Sequence, residues 1–153
     1  MEIATLELLL AGKSKLMKLL PTDQYDFTRI NQLAHDHVEF YKVYSTLSAT
    51  LSDSRKRARN MGFTFDLDIS YMLKIYFDQK GRCKLSKKPL DFKSGTQAMK
   101  NPYKASIDRI NNSKGYVKGN VRLLCHWVNN AKSTYPDEVF DDFVKASAMV
   151  LIE

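Results

Sequence analysis

The chain has 153 residues, 44% hydrophobic and 27% charged, which suits an ordinary globular protein with a real core, either one domain or a domain with a helical arm. Its formal net charge of +7 favours a polyanionic partner, most simply DNA or RNA, with a generic basic surface as the plainer alternative. Only two cysteines are present, Cys83 and Cys125, which excludes a disulfide-rich secreted scaffold, and no stretch approaches a membrane span.

The opening MEIATLELLLAGKSK has an apolar centre without a basic segment before it, and it carries Glu2 and Glu7. It reads as a helix rather than a signal peptide, so a cytoplasmic protein is expected. Ile3, Leu6, Leu9, Leu10, Leu16, Met17 and Leu20 recur at helical spacing, and Pro21 ends that element. A second helix is expected over 26–51, capped by Asp26, with Phe27, Ile30, Leu33, Ala34, Val38, Tyr41, Tyr44 and Leu47 in its stripe. Residues 1–49 form an N-terminal helical arm on this reading, and 50–153 the main domain. Ser52 or Asp53 is then expected to cap a short basic helix carrying Arg55, Lys56, Arg57 and Arg59, closed by Gly62.

FTFDLD alternates like a short strand, and 69–79 form a helix closed by Gly81. Residues 82–92 suit a knuckle around Pro89, and 93–103 a polar loop. Residues 104–110 and 120–125 read as strands, joined by a loop holding Asn111, Asn112, Gly115 and Gly119. A helix follows over 126–134. Pro136, Asp137 and Glu138 open a last helix whose Val139, Phe140, Phe143, Val144 and Met149 are expected to face inward. Tyr41, Tyr44, Tyr71, Tyr76 and Phe77 fit core stripes better than base-stacking platforms.

The order from 104 to 134 is strand, loop, strand, helix. Asp108 falls near the end of the first strand and Asn129 in the early turns of the helix. A helix packed across such a hairpin can bring the two side-chain oxygens together. One carboxylate and one amide oxygen suit a hard divalent cation that keeps several waters, such as Mg²⁺ or Mn²⁺. Such an ion stabilises charge developing on a phosphate and its leaving oxygen.

Asp108-Arg109-Ile110, Gly115, Asn120, Leu124-Cys125, Val128-Asn129 and Lys132 fall in the places of a known pattern. The segment resembles the HNH nuclease family, whose fold is the ββα-metal or His-Me finger. The flank GRCKLSKKPL at 81–90 resembles the segment preceding the motif in many phage-type members, and the similarity extends over about 50–145. The resemblance implies an α+β protein with a ββα-metal (HNH, treble-clef-like) core and additional helices before and after it. It implies that Asp108 and Asn129 hold the metal, that Asn120 locks the hairpin loop, and that Lys132 contacts a phosphate.

Members with full activity carry a histidine general base after the aspartate, where this chain has Arg109. A guanidinium stays protonated and cannot accept water's proton, although its fork can grip the scissile phosphate. Three alternatives follow. His126, three residues before Asn129, can be the base; a metal-bound hydroxide can act without one; or catalysis has been lost and nucleic-acid binding kept. Many relatives also bind structural zinc through paired Cys-x-x-Cys knuckles. Here each knuckle keeps one thiol, Cys83 and Cys125, so no structural zinc is expected. The two cysteines are expected to lie buried near each other, with Leu85, Leu90, Trp127 and Val128 packing in place of the metal.

The basic segment Arg55, Lys56, Arg57 and Arg59 is expected to contact DNA phosphates, joined by Lys114, Lys118 and Arg122. The expected function is metal-dependent hydrolysis of DNA by a strand-nicking endonuclease. Its rivals are a catalytically silent DNA-binding protein on the same fold and a protein-interaction module. The arm at 1–49 is expected to serve a protein partner, a homodimer or DNA reading. Similar short proteins are frequent in phages and mobile elements, an analogy of fold only.

Overall fold

From Phe27 to Met61 the chain contains neither glycine nor proline, and it forms one helix, α1 (Phe27–Met61), of 35 residues. The expected break near residue 52 does not occur, because Ser52 and Asp53 sit inside the helix and nothing after them interrupts the backbone. The computed structural model describes residues 27–92 and 101–150. The helix expected before Pro21, the Asp26 cap and most of the polar loop lie outside the described residues. Backbone contacts divide the chain into two units, Met1–Tyr41 and Lys42–Glu153, and the second carries every candidate site residue.

In the second unit, α1 buries Val43, Leu47, Leu51, Ser54 and Ala58, a helical stripe that leaves the basic side chains of 55–59 outside. Val38 and Tyr41, expected in the stripe, are exposed. Gly62 ends the helix with positive φ, while Phe63 N–H bonds to Ala58 C=O and Gly62 N–H to Arg59 C=O, satisfying carbonyls that the helix leaves open.

Residues 63–68 make no full strand. Phe65 forms a single parallel bridge with Tyr116, because its neighbour is the hairpin loop rather than an extended strand. Gly115 permits that approach: a Cβ there would lie 2.1 Å from the carbonyl oxygen of Thr64. The next helix, α2 (Ile69–Asp78), starts at Asp68, whose carboxylate accepts the Tyr71 N–H at 2.7 Å. It buries Met72, Leu73 and Ile75, whereas Phe77, expected in the core, is exposed. The knuckle that follows is closed by the Arg82–Pro89 bridge and by Cys83 N–H to Lys88 C=O at 2.9 Å.

Two strands, β1 (Ala105–Arg109) and β2 (Val121–Cys125), pair antiparallel with Asp108 opposite Arg122 and Ser106 opposite Leu124. Every residue of β2 is buried. Gln79 at the end of α2 extends this sheet in place of a third strand: its amide donates to Leu123 C=O at 2.9 Å and accepts Leu123 N–H at 3.0 Å. Next, α3 (His126–Lys132) packs on both strands. Its first amides are held from outside, His126 N–H by Lys104 C=O and Trp127 N–H by Pro102 C=O.

The last helix, α4 (Asp137–Val150), buries no residue. Val139, Phe143, Val144 and Met149 face solvent, contrary to the inward face expected. An apolar stripe identifies the side of a helix that seeks cover, not the surface that supplies it. The described chain is therefore mixed α+β, four helices with one two-stranded antiparallel sheet. No helix among the described residues is long and apolar enough to cross a membrane.

Candidate functional site

The hairpin loop is shaped by one buried amide. Asn120 donates through Nδ2 to the carbonyls of Asn111 (3.0 Å) and Gly115 (2.9 Å), and its Oδ1 accepts Asn111 N–H at 3.0 Å. The loop is also tied down from α2 and the segment before it. Asp66 accepts Lys118 N–H, and the Tyr71 hydroxyl accepts Gly119 N–H, both at 2.7 Å. This side-chain amide, together with Asp66 and Tyr71, therefore holds the turn that aims β1 and β2.

Side chains alternate along β1, so Ser106 and Asp108 share one face, and α3 covers it. Asn129 and Lys132, three apart on α3, project onto that face. Asn129 Nδ2 donates to Ser106 Oγ at 2.6 Å and to the Ile107 carbonyl at 3.4 Å. Lys132 Nζ reaches Asp108 Oδ1 at 3.6 Å. The helix thus sets Lys132 against Asp108, and Asn129 one step back along the strand.

Asp108 is almost wholly buried, and cations surround it. Its cross-strand partner Arg122 donates from Nε to Asp108 Oδ2 at 2.8 Å, then forks both terminal nitrogens onto Asp137, at 2.5 and 2.6 Å. Lys132 Nζ lies 3.9 Å from Asp137 Oδ1. Burial alone would pull the Arg122 guanidinium down, but its hydrogen bonds to Asp137 and Asp108 outweigh that and hold it above its ordinary value. The same Arg122 fork holds the Asp137 carboxyl below the usual carboxylate range. Lys132 is 0% exposed, and its ammonium finds no hydrogen-bond partner among the described residues.

Two of the expected phosphate contacts change in this light. Arg122 is buried, because the strand register sets it opposite Asp108, and it neutralises carboxylates rather than meeting DNA. Lys132 is enclosed and does not present its ammonium to a phosphate in this arrangement. Arg109, one residue on from Asp108, points to the other face of β1. Its guanidinium lies 4.2 Å from the Phe63 ring centroid and 5.2 Å from that of Tyr116, and it donates to the carbonyls of Asn112 and Lys114, both at 3.2 Å. Arg109 therefore clamps the hairpin loop. His126 is exposed, with Nε2 2.9 Å from the Asn130 amide nitrogen.

The basic surface is real. Arg55, Lys56, Arg57, Arg59, Lys114 and Lys118 are all exposed. Arg55 also lies over the Phe65 ring, and Arg57 donates to Ser54 Oγ. Lys118 pairs with Asp68 at 2.6 Å, which raises the lysine and lowers the aspartate from their ordinary values. Both partners are half exposed, so the pair leaves the lysine open to competition from phosphate.

Cys83 and Cys125 are free and buried, and Ser86 Oγ lies 3.8 Å from Cys125 Sγ. Burial would raise the Cys83 thiol, but the Ser86 hydroxyl and backbone N–H groups of Cys125, Ser86 and Leu85 hold it below the ordinary thiol range. Cys125 is pushed up, chiefly by burial, with Cys83 adding to it. Leu90 and Val128 pack inward here, but Trp127, expected to join them, is 68% exposed. Its N–H anchors the turn while its ring faces solvent.

Among the described residues no group of three or more His, Cys, Asp or Glu side chains assembles around a metal position. Asp108 and Asp137 supply carboxylate oxygens of the kind a hard cation takes, and the Lys132 ammonium stands between them, whereas Asn129 turns its amide nitrogen onto Ser106 and Ile107. Sequence reasoning missed Asp137 as a site residue and Gln79 as a strand surrogate. An acidic residue at a helix start signals a cap or dipole partner, and nothing in its spacing reveals the arginine it meets. In comparisons with known proteins, the chain matches no family model, no curated protein and no solved structure.

Proposed function

We propose that the chain is a metal-dependent DNA endonuclease of the HNH type that nicks one strand, built on a ββα-metal unit centred on Asp108. The observation that carries this reading is the convergence of β1, β2 and α3 on one buried carboxylate beside a loop locked by Asn120. A buried carboxylate held by surrounding groups is a preorganised anion, which is what a hard-cation centre requires. Mg²⁺ or Mn²⁺ bound there supplies electrostatic stabilisation of the phosphate and of the leaving 3′-oxygen. The exposed side chains at 55–59, with Lys114 and Lys118, hold the phosphate backbone without reading sequence. Water attacks phosphorus and the bond to the 3′-oxygen breaks. Arg109 takes no proton in this, since it stays charged. His126, the only histidine of the unit 42–153, is the candidate acceptor of water's proton, with a metal-bound hydroxide that needs no side-chain base as the alternative.

A second reading is a DNA-binding protein on the same fold without catalysis. It is favoured by Arg109, engaged as a loop clamp, and by Asp108, already neutralised by Arg122 and Lys132. A supercoiled-plasmid assay with Mg²⁺ or Mn²⁺ decides between them. Nicked circles that disappear with Asp108→Asn and Asn129→Ala support the nuclease, and loss in His126→Ala identifies the base. Binding without cutting under every divalent ion tried supports the second reading. No DNA affinity at moderate salt removes both and leaves a protein-interaction module.

A further inference from the structure

Four charged side chains meet behind the hairpin: Asp108 from β1, Arg122 from β2, Lys132 at the end of α3 and Asp137 at the start of α4. Their formal charges cancel, yet the partnership is uneven. Arg122 spends all three of its nitrogens on the two carboxylates at hydrogen-bonding distance. Lys132 makes none. Its ammonium can donate three hydrogen bonds, its side chain is 0% exposed, and the nearest carboxylate oxygens stand at 3.6 and 3.9 Å. A compact, strongly hydrated charge held this way is a weak occupant of a strong cation position.

We propose that Asp137 is a second carboxylate of the candidate metal site, and that Lys132 occupies the cation position until it is exchanged for a divalent ion. This rests on the nuclease reading above and extends it to a residue outside the motif. The geometry leaves suitable donors. Asp108 Oδ1 carries no hydrogen bond from Arg122, and Asp137 Oδ1, which accepts Arg122 Nη2 at 2.6 Å, also faces Lys132 at 3.9 Å. One or two carboxylates completed by water are what a small hard cation takes. The exchange also changes the charge. With Lys132 gone, two carboxylates and Arg122 sum to one negative charge, and a divalent ion turns that into one positive charge, suited to a phosphate. The displaced ammonium recovers hydrogen bonds by moving outward, so Lys132 is buried in the resting protein and available to phosphate in the loaded one.

The test is Mn²⁺ binding to the full chain, read by loss of the free-ion electron paramagnetic resonance signal, with circular dichroism to verify folding. Asp108→Asn should abolish binding. Asp137→Asn should weaken it about tenfold or more, and Asp137→Glu should recover part of the loss. Lys132→Met, which keeps length without charge, should tighten it about tenfold. Binding lost in Asp108→Asn but unchanged in Asp137→Asn overturns the role of Asp137 and leaves the nuclease reading standing. Unchanged affinity in Lys132→Met overturns the exchange. If neither the wild-type protein nor Lys132→Met binds Mn²⁺ at millimolar concentration, the inference and the nuclease reading fail together.

Discussion

Replacing Asn120 tests the physical logic of the hairpin most directly. Its side chain makes three hydrogen bonds, two as donor and one as acceptor, and it is 6% exposed. Asn120→Ala removes all three and leaves the buried Gly115 carbonyl without its donor. At roughly 0.5–1.5 kcal/mol for each of the three bonds, the loss should be about 2–4 kcal/mol. Asn120→Asp is the sharper perturbation. It keeps the acceptor for Asn111 N–H but sets a second carboxylate oxygen against two carbonyl oxygens now 2.9 and 3.0 Å from the amide nitrogen. At neutral pH it should be less stable than the alanine variant, although it is nearly isosteric. The introduced carboxyl has its folded pKa raised, because its charged form is disfavoured in the folded protein. Its penalty is therefore full at pH well above that value and fades as pH falls and the group protonates. Urea denaturation followed by circular dichroism at about pH 7 and pH 4.5 measures both effects. An aspartate variant as stable as wild type at neutral pH, or a penalty that does not shrink in acid, would refute the account of the loop.

Three further outcomes are expected. Asp137 has a lowered carboxyl pKa, so its contribution to stability is present above about pH 4 and lost as pH falls through its folded value; Asp137→Asn should flatten that acid limb in urea midpoints taken across the range. Arg109→Lys keeps the charge but forfeits the stacking on Phe63 and Tyr116 and the paired carbonyl contacts, and should cost about 1–2 kcal/mol in the same assay. Joint replacement of Lys56 and Arg59 by glutamine should reduce the slope of log affinity against log salt for duplex DNA by about two, and an unchanged slope would place the phosphate contacts elsewhere.

Some of this molecule is legible in its residues. A short apolar run at 121–125 and a loop rich in Asn and Gly before it mark the hairpin, and Gly62 and Gly81 end helices because their positive φ suits them. The knuckle around Pro89 follows from turn chemistry in the same way. These are local matters, decided by backbone preference and side-chain period within a few residues. Other features depend on partners distant along the chain. Local capping signals at Ser52 and Asp53 lost to an uninterrupted helix, and Ser54 was buried instead. Trp127 and the apolar side of α4 face solvent because burial depends on what lies opposite, which no stripe encodes.

The charged residues divide along the same line. The sequence by itself determined that Asp108 lies near the end of a strand, that Lys132 lies on the following helix and that Asp137 opens another, since each position follows from local pattern. Only the tertiary structure decided that Arg122 faces Asp108 across the sheet, that it reaches on to Asp137, and that Lys132 is enclosed between them. The reason is that electrostatic partnership depends on distance in space and on the removal of water, and neither quantity is carried by spacing along the chain.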